Sequence, residues 1–298
     1  MSETRKSYDV IYAGNYTKDI IITPDGTRQV DGGGMNYAAC VGTRLGIHAA
    51  VVTRLAREDE HVVDAIRAAG IDCYPTFSPA STRMVLEYKT RNVDQRNLYV
   101  KSFAGTIEPE HLDGLEARAV VVSPSLRGEV KPEFFAALRQ RNGVLLSADV
   151  QGFVRVLRDE NLVYEPWDEM AGVLKNVDIL KSDAVEAEYL TGEKDLEKAA
   201  RCFTALGARE IIITHSEGVL IHADGQSHHF AFHSQSMLGR SGRGDTCVGS
   251  YVAKRLSLPP REAGKWAAAA TSLKMERLGV FNRSIEEVEQ FIARYYAD

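Results

Sequence analysis

Short β-branched runs alternate with amphipathic stretches along most of this chain, and few folds accept such a rhythm. Strands read at residues 9–13, 49–55, 119–122, 144–148, 177–180 and 210–214, with helical periodicity at about 36–45, 59–69, 132–141, 169–174 and 193–206. A hairpin through Asp224 and Gly225 and three closing helices follow. Strands that alternate with helices bury a mostly parallel sheet between helical layers. The expected fold class is α/β, a three-layer αβα sandwich. Two stretches break the rhythm, about 20–31 and 72–103, and read as polar-patterned strands with no helix between them. They are expected to form a small β-sheet lid within a single domain spanning 1–298, excluding water from a reaction.

Charge and cysteine usage narrow the partners. The formal net charge is −5 with both signs interspersed, so the chain has no basic stripe for nucleic acid. The four cysteines, Cys40, Cys73, Cys202 and Cys247, form no CxxC pair, which fits a reducing compartment. The polar start MSETRKSYDV lacks the apolar core of a signal peptide, and no apolar run of about 18 residues exists to cross a membrane. A cytoplasmic protein with no membrane partner is expected.

The most informative segment is Gly239-Arg240-Ser241-Gly242-Arg243-Gly244-Asp245-Thr246-Cys247, which leads into an apolar-striped helix. Glycines let successive backbone N–H groups converge, and the helix N-terminus adds partial positive charge, so an anion can sit there. Asp245 lies in the first turn. It either caps the helix, as Asp commonly does, or accepts a proton from a hydroxyl that attacks the bound phosphate.

This loop resembles the second signature of the PfkB, or ribokinase-like, carbohydrate kinases, roughly Asp-Thr-x-Gly-Ala-Gly-Asp-x-Phe. Here Gly239 stands for the leading Asp, Arg243 for Ala and Cys247 for Phe, while the core glycines and the Asp are retained. The resemblance implies an ATP-dependent phosphotransferase acting on a hydroxyl of a sugar or cyclitol. It further implies that Gly242, Arg243 and Gly244 form the anion hole, with Asp245 as catalytic base. Arg243 either reaches a phosphate or substrate oxygen or faces the surface over the lid.

Other segments resemble the family in the same order. Asp31-Gly32-Gly33-Gly34-Met35-Asn36 is similar to its first signature, which implies acceptor contacts at Gly33, Gly34 and Asn36; a simple turn is the competing reading. Asp19 matches the aspartate that binds substrate hydroxyls, against a solvated acid. Asp183-Ala184-Val185-Glu186 resembles the Asn-x-x-Glu motif, implying Asp183 at nucleotide and metal and Glu186 at metal; an N-cap Asp with a surface Glu fits equally. Thr214, Ser216 and Gly218 resemble the nucleotide-binding turn, and Gln151 sits in a segment implied to touch substrate. ATP, magnesium and a monovalent cation are the expected ligands, and a homodimer paired through the lid is one expected assembly.

The triple glycine, the Ala148-Asp149-Val150-Gln151-Gly152-Phe153-Val154-Arg155 segment, the anion loop and Ala268-Ala269-Ala270-Thr271-Ser272-Leu273-Lys274-Met275 together look like a branch that includes a thermophilic myo-inositol kinase. Myo-inositol is therefore the first acceptor expected; a ketose, a pentose, a nucleoside, or a non-catalytic sugar sensor are the alternatives. A dinucleotide-binding oxidoreductase is a further alternative, suggested by Asp31 to Gly34 near an early helix, but the run lacks the spaced third glycine and misses the first strand-to-helix turn, so the Rossmann fingerprint fails. No Gly-Lys-Ser/Thr loop exists, which excludes P-loop kinases.

Overall fold

The computed structural model of the protein describes residues 5–90, 97–141 and 143–297. Fifteen strands follow in chain order: β1 (Lys6–Ala13), β2 (Thr17–Thr23), β3 (Gly26–Gly32), β4 (Ala49–Ala56), β5 (Asp72–Ser78), β6 (Thr82–Glu87), β7 (Asn97–Ser102), β8 (Leu115–Val122), β9 (Leu145–Asp149), β10 (Arg155–Arg158), β11 (Asn161–Tyr164), β12 (Ile179–Asp183), β13 (Glu210–Thr214), β14 (Gly218–Ala223) and β15 (Gln226–Ala231). The α-helices are α1 (Gly34–Arg44), α2 (His61–Ala68), α3 (Pro132–Arg139), α4 (Gln151–Val154), α5 (Met170–Leu174), α6 (Ala184–Thr191), α7 (Leu196–Ala205), α8 (Arg243–Arg255), α9 (Pro260–Met275) and α10 (Ile285–Tyr295).

Nine strands make one sheet in the order β15-β14-β13-β12-β9-β8-β1-β4-β5, parallel except for the hairpin strands β14 and β15. Strand periodicity sends alternate side chains to opposite faces, and each face has its own helical cover. Val10 and Tyr12 of β1 pack with α1, α2, α8, α9 and α10. Ile11 and Ala13 join the other cluster, with α3, α5, α6 and α7. This is the ribokinase-like αβα sandwich with a mostly parallel sheet, and it places the carboxyl ends of β1, β8, β9, β12 and β13 on one rim.

A second, six-stranded sheet in the order β10-β11-β7-β6-β2-β3 stands beside that rim. Its inner face carries Ile21, Met84, Leu86 and Val100, which pack with Leu126 from the loop after β8. Its membership differs from the sequence expectation at two points. Residues Asp72–Ser78 belong to the large sheet, as edge strand β5 parallel to β4. An edge strand keeps one margin open to water, so its polar pattern imitates a lid strand, and Pro75 is tolerated there. The hairpin β10–β11 joins the small sheet unannounced; its turn uses Asp159 and Glu160 at φ 45° and 68°, without the glycine or asparagine that usually marks such a turn. Residues 91–96 of the expected second lid stretch lie outside the described residues.

Candidate active site

The first glycine run closes on two carboxylates. Helix α1 starts at Gly34, two residues before the expected position, with Gly33 as its cap at φ 101°, a conformation that favours glycine. A Cβ on Gly34 would lie 2.4 Å from Oδ1 of Asp245 and 2.8 Å from Cβ of Ser123. A Cβ on Gly32 would lie 2.5 Å from Oδ2 of Asp19. Asp19 on β2, the glycine run and Asp245 on α8 are thus one constellation, although they come from three separate parts of the chain. Tyr37 stands between the two acids, its hydroxyl proton held more tightly by burial and by the charges of Asp19 and Asp245. The side-chain oxygen of Asn36 accepts from the Cys40 thiol at 3.5 Å.

The second loop opens α8. Its N-cap is Gly242 at φ 76°, where a Cβ would also strike the Tyr37 ring at 2.3 Å. Asp245 does not cap this helix. Its Oδ1 is buried and accepts no hydrogen bond. Burial raises the carboxyl above its ordinary pKa, while Lys181, Arg155 and, more weakly, Lys274 draw it back. Arg243 is half-buried and close enough to His215 to weaken proton binding there, behind the effect of burial on that ring.

Three buried cations surround the loop. Lys181, 5% exposed at the end of β12, pairs with Asp149 at 3.0 Å. A Cβ on Gly244 would meet both Cε and Nζ of Lys181 at 2.7 Å, so the glycine leaves the room that the ammonium fills. Arg155 pairs with the fully buried Glu186 at 3.1 Å. Lys274 of α9, 3% exposed, donates to the carbonyls of Gly239 and Ser241. Carboxylates hold Lys181 and Arg155 in place and backbone carbonyls hold Lys274, as buried ions require.

Asp183 caps α6, accepting from the Glu186 backbone at 2.8 Å, and its own N–H donates to Oε2 of Glu186 at 3.0 Å. The cap reading is right for Asp183, but Glu186 is an interior ion-pair partner and not a surface acid. Both Glu186 oxygens are engaged, one by Arg155 and one by the cap. Among the described residues no cluster of three or more His, Cys, Asp or Glu side chains could hold a metal ion. Asp183 and Glu186 alone could meet a magnesium ion only together with water and a donor's phosphates, which is how that ion is commonly held. Thr214 is buried with its hydroxyl toward the Ser182 carbonyl, Ser216 is exposed, and a Cβ on Gly218 would collide with the Phe230 carbonyl at 2.3 Å. Gly218 thus has a packing reason to be glycine. Gln151 is half-exposed, its N–H bound to Oδ1 of Asp149 at 3.0 Å.

Behind the acceptor side, the fully buried Glu129 accepts from the backbone of Asn15 at 2.6 Å and of Ser125 at 2.9 Å. It ties the turn between β1 and β2 to the loop after β8. Burial pushes its carboxyl up to about 7. Glu129, Lys181 and Lys274 escape sequence reasoning as site residues. The signal was faint but present: a lysine inside the apolar strand Ile179-Leu180-Lys181, and another in an alanine-rich helix, each demand buried partners.

No family model matches the chain. Among solved structures, a pyrophosphate-dependent kinase in the ribokinase family, complexed with sulfate, is 34% identical with a TM-score of 0.88, covering 94% of this chain and 99% of that one. Another, a pyrophosphate-dependent kinase in the ribokinase family complexed with a pyrophosphate analog and myo-inositol, is 33% identical with a TM-score of 0.87, over 94% and 99%. Among curated proteins, a cytidine kinase of Thermococcus kodakarensis is 24% identical over 259 residues, 82% of this chain and 87% of its own length.

Proposed function

The chain belongs to the ribokinase family of kinases, and from that membership we propose that it transfers a phosphoryl group from pyrophosphate to a hydroxyl of myo-inositol or a related cyclitol, with Asp245 as general base. It is a phosphotransferase that acts on an alcohol group. The observation that carries the mechanism is the buried, unpartnered Oδ1 of Asp245 facing side-chain-free Gly34. A hydroxyl lying over the glycine run can reach that oxygen. Asp19 accepts bonds from neighbouring hydroxyls and fixes which one is presented.

In the reaction, Asp245 takes the hydroxyl proton as the acceptor oxygen bonds to phosphorus in line with the leaving group. The bond from phosphorus to the bridging oxygen breaks, and orthophosphate departs. Gly242 and Gly244 offer backbone N–H groups to the equatorial oxygens, where preorganised donors lower the barrier, while the Arg243 N–H, which donates to the Arg240 carbonyl at 3.2 Å, braces the loop between them. Asp183 and Glu186 are the residues that would hold magnesium, through water, and the ion would neutralise charge on the donor's phosphates.

One observation supports pyrophosphate as donor. The relatives at 33–34% identity are pyrophosphate-dependent. ATP, implied by the order of the motifs, is the second reading, and with it a sugar or nucleoside acceptor, since a cytidine kinase is among the relatives. Phosphorus NMR on mixtures of either donor with myo-inositol, ribose, fructose or cytidine separates them, with Asp245→Asn as blank. Inositol phosphate and orthophosphate from pyrophosphate are expected. Product from ATP alone overturns the donor, and product on a different acceptor overturns the cyclitol.

A further inference from the structure

The Lys274 ammonium lies where a chain seldom places a charge. It is buried at the end of α9 and donates to two backbone carbonyls, those of Gly239 and Ser241. It also stands 5.2 Å from the centroid of the Tyr37 ring. The carboxylate of Asp245 faces it from α8, and the cation of Arg28 approaches from β3. Carbonyl oxygens, an aromatic face and a nearby carboxylate are the surroundings that a dehydrated monovalent cation takes.

The two carbonyls belong to residues that lead directly into Gly242, Arg243 and Gly244. That segment is fastened to the end of α9: the Gly239 N–H donates to the Met275 carbonyl at 2.8 Å. A Cβ on Gly239 would fall 1.6 Å from the Arg277 carbonyl, so the backbones are in direct contact. Two carbonyls converging on one interior point must be satisfied there, and beside an acid a positively charged donor does so most strongly. A free potassium or sodium ion, which the family resemblance makes an expected ligand, finds that point already filled.

We propose that the ammonium of Lys274 is the monovalent cation of this site, carried by the chain itself, so that the anion loop needs no free potassium or sodium to hold its shape. The proposal rests on the reading of the 239–245 loop as the donor loop. Burial draws the ammonium down to about 8, with Asp245 opposing, so it is charged at neutral pH. Lys274 acts here as a positioning residue, holding the backbone whose N–H groups meet the donor.

The test replaces potassium with sodium or tetramethylammonium at constant ionic strength and follows both turnover and melting temperature. Wild-type protein is expected to be indifferent to the ion. Lys274→Ala, which removes the ammonium and opens its space, is expected to lose activity on the order of 10²-fold. Potassium or ammonium should restore much of that loss and raise the melting temperature of this variant. Lys274→Met removes the charge but fills the space, and is expected to lose activity without rescue. Activation of the wild type by potassium overturns the proposal, as does a Lys274→Ala protein that no ion stabilises. Should Lys274→Ala fail to fold, the wild-type ion series decides by itself. If the wild type transfers no phosphoryl group from any donor, the functional reading fails, while the melting temperatures still judge the bound cation.

Discussion

A methyl group at Gly244 would meet the Lys181 ammonium at 2.7 Å, although the two residues lie on different elements and far apart in sequence. Gly244→Ala must therefore push Lys181 away from Asp149, now 3.0 Å distant, or lift the loop. Either change misplaces N–H groups aimed at the donor. Turnover should fall by roughly 10², with donor KM rising and acceptor KM little altered. Steady-state kinetics with each substrate varied in turn checks this; an unchanged donor KM would remove Gly244 from the donor loop.

Replacing Asp245 by Asn keeps the shape and removes the proton acceptor. Turnover should drop on the order of 10²-fold to 10⁴-fold, with acceptor binding by calorimetry largely intact.

The pH profile supplies a separate measure of the same carboxylate. A base must be ionised, so activity fades as pH falls through its pKa, and burial sets that limb above the range of an exposed aspartate. Lys181 is the largest influence drawing the carboxyl back down. Lys181→Met should move the acid limb of kcat/KM to still higher pH. A limb that stays in place would dissociate Lys181 from the base.

Glu186 distinguishes structure from metal chemistry. Removing one member of a buried ion pair leaves the other uncompensated, so Glu186→Gln should cost roughly 3–5 kcal/mol of stability. Urea unfolding in the presence of a chelator measures this. A variant of normal stability that has lost only its magnesium dependence would return Glu186 to the metal.

Glu129 predicts a pH-dependent stability. Its folded carboxyl, at about 7, lies above the ordinary 4.5, so the folded protein binds the extra proton between those values. Its contribution is complete below pH 4.5 and is lost as pH rises through 7, by on the order of 3 kcal/mol. Glu129→Gln should flatten this slope in melting curves taken from pH 4.5 to 7.5. An equal slope in both proteins would assign it to other groups.

The parallel sheet was legible because strands such as 119–122 and 210–214 are apolar on both faces, a pattern that loops and surface helices do not imitate. The separation between sheets was less legible, since β5 at an open edge is patterned like β6 and β7. In the site, Asp245 could be picked out because a glycine loop announces it, and Asp19 only through the order of the family's motifs. The cations could not: Lys181 and Lys274 depend on Asp149, Gly239 and Ser241, partners that only the tertiary fold brings near.

The six-stranded sheet has its two margins fastened at two different places. The β3 margin runs directly into Gly33 and Gly34, and the β10 margin begins at Arg155, the partner of Glu186. Hydrogen-bonded strands move together as a plate. Under the proposed function, one hydrogen-bonded frame thus carries both the glycines that border the acceptor and the arginine that holds Glu186, so a shift at either margin is felt at the other.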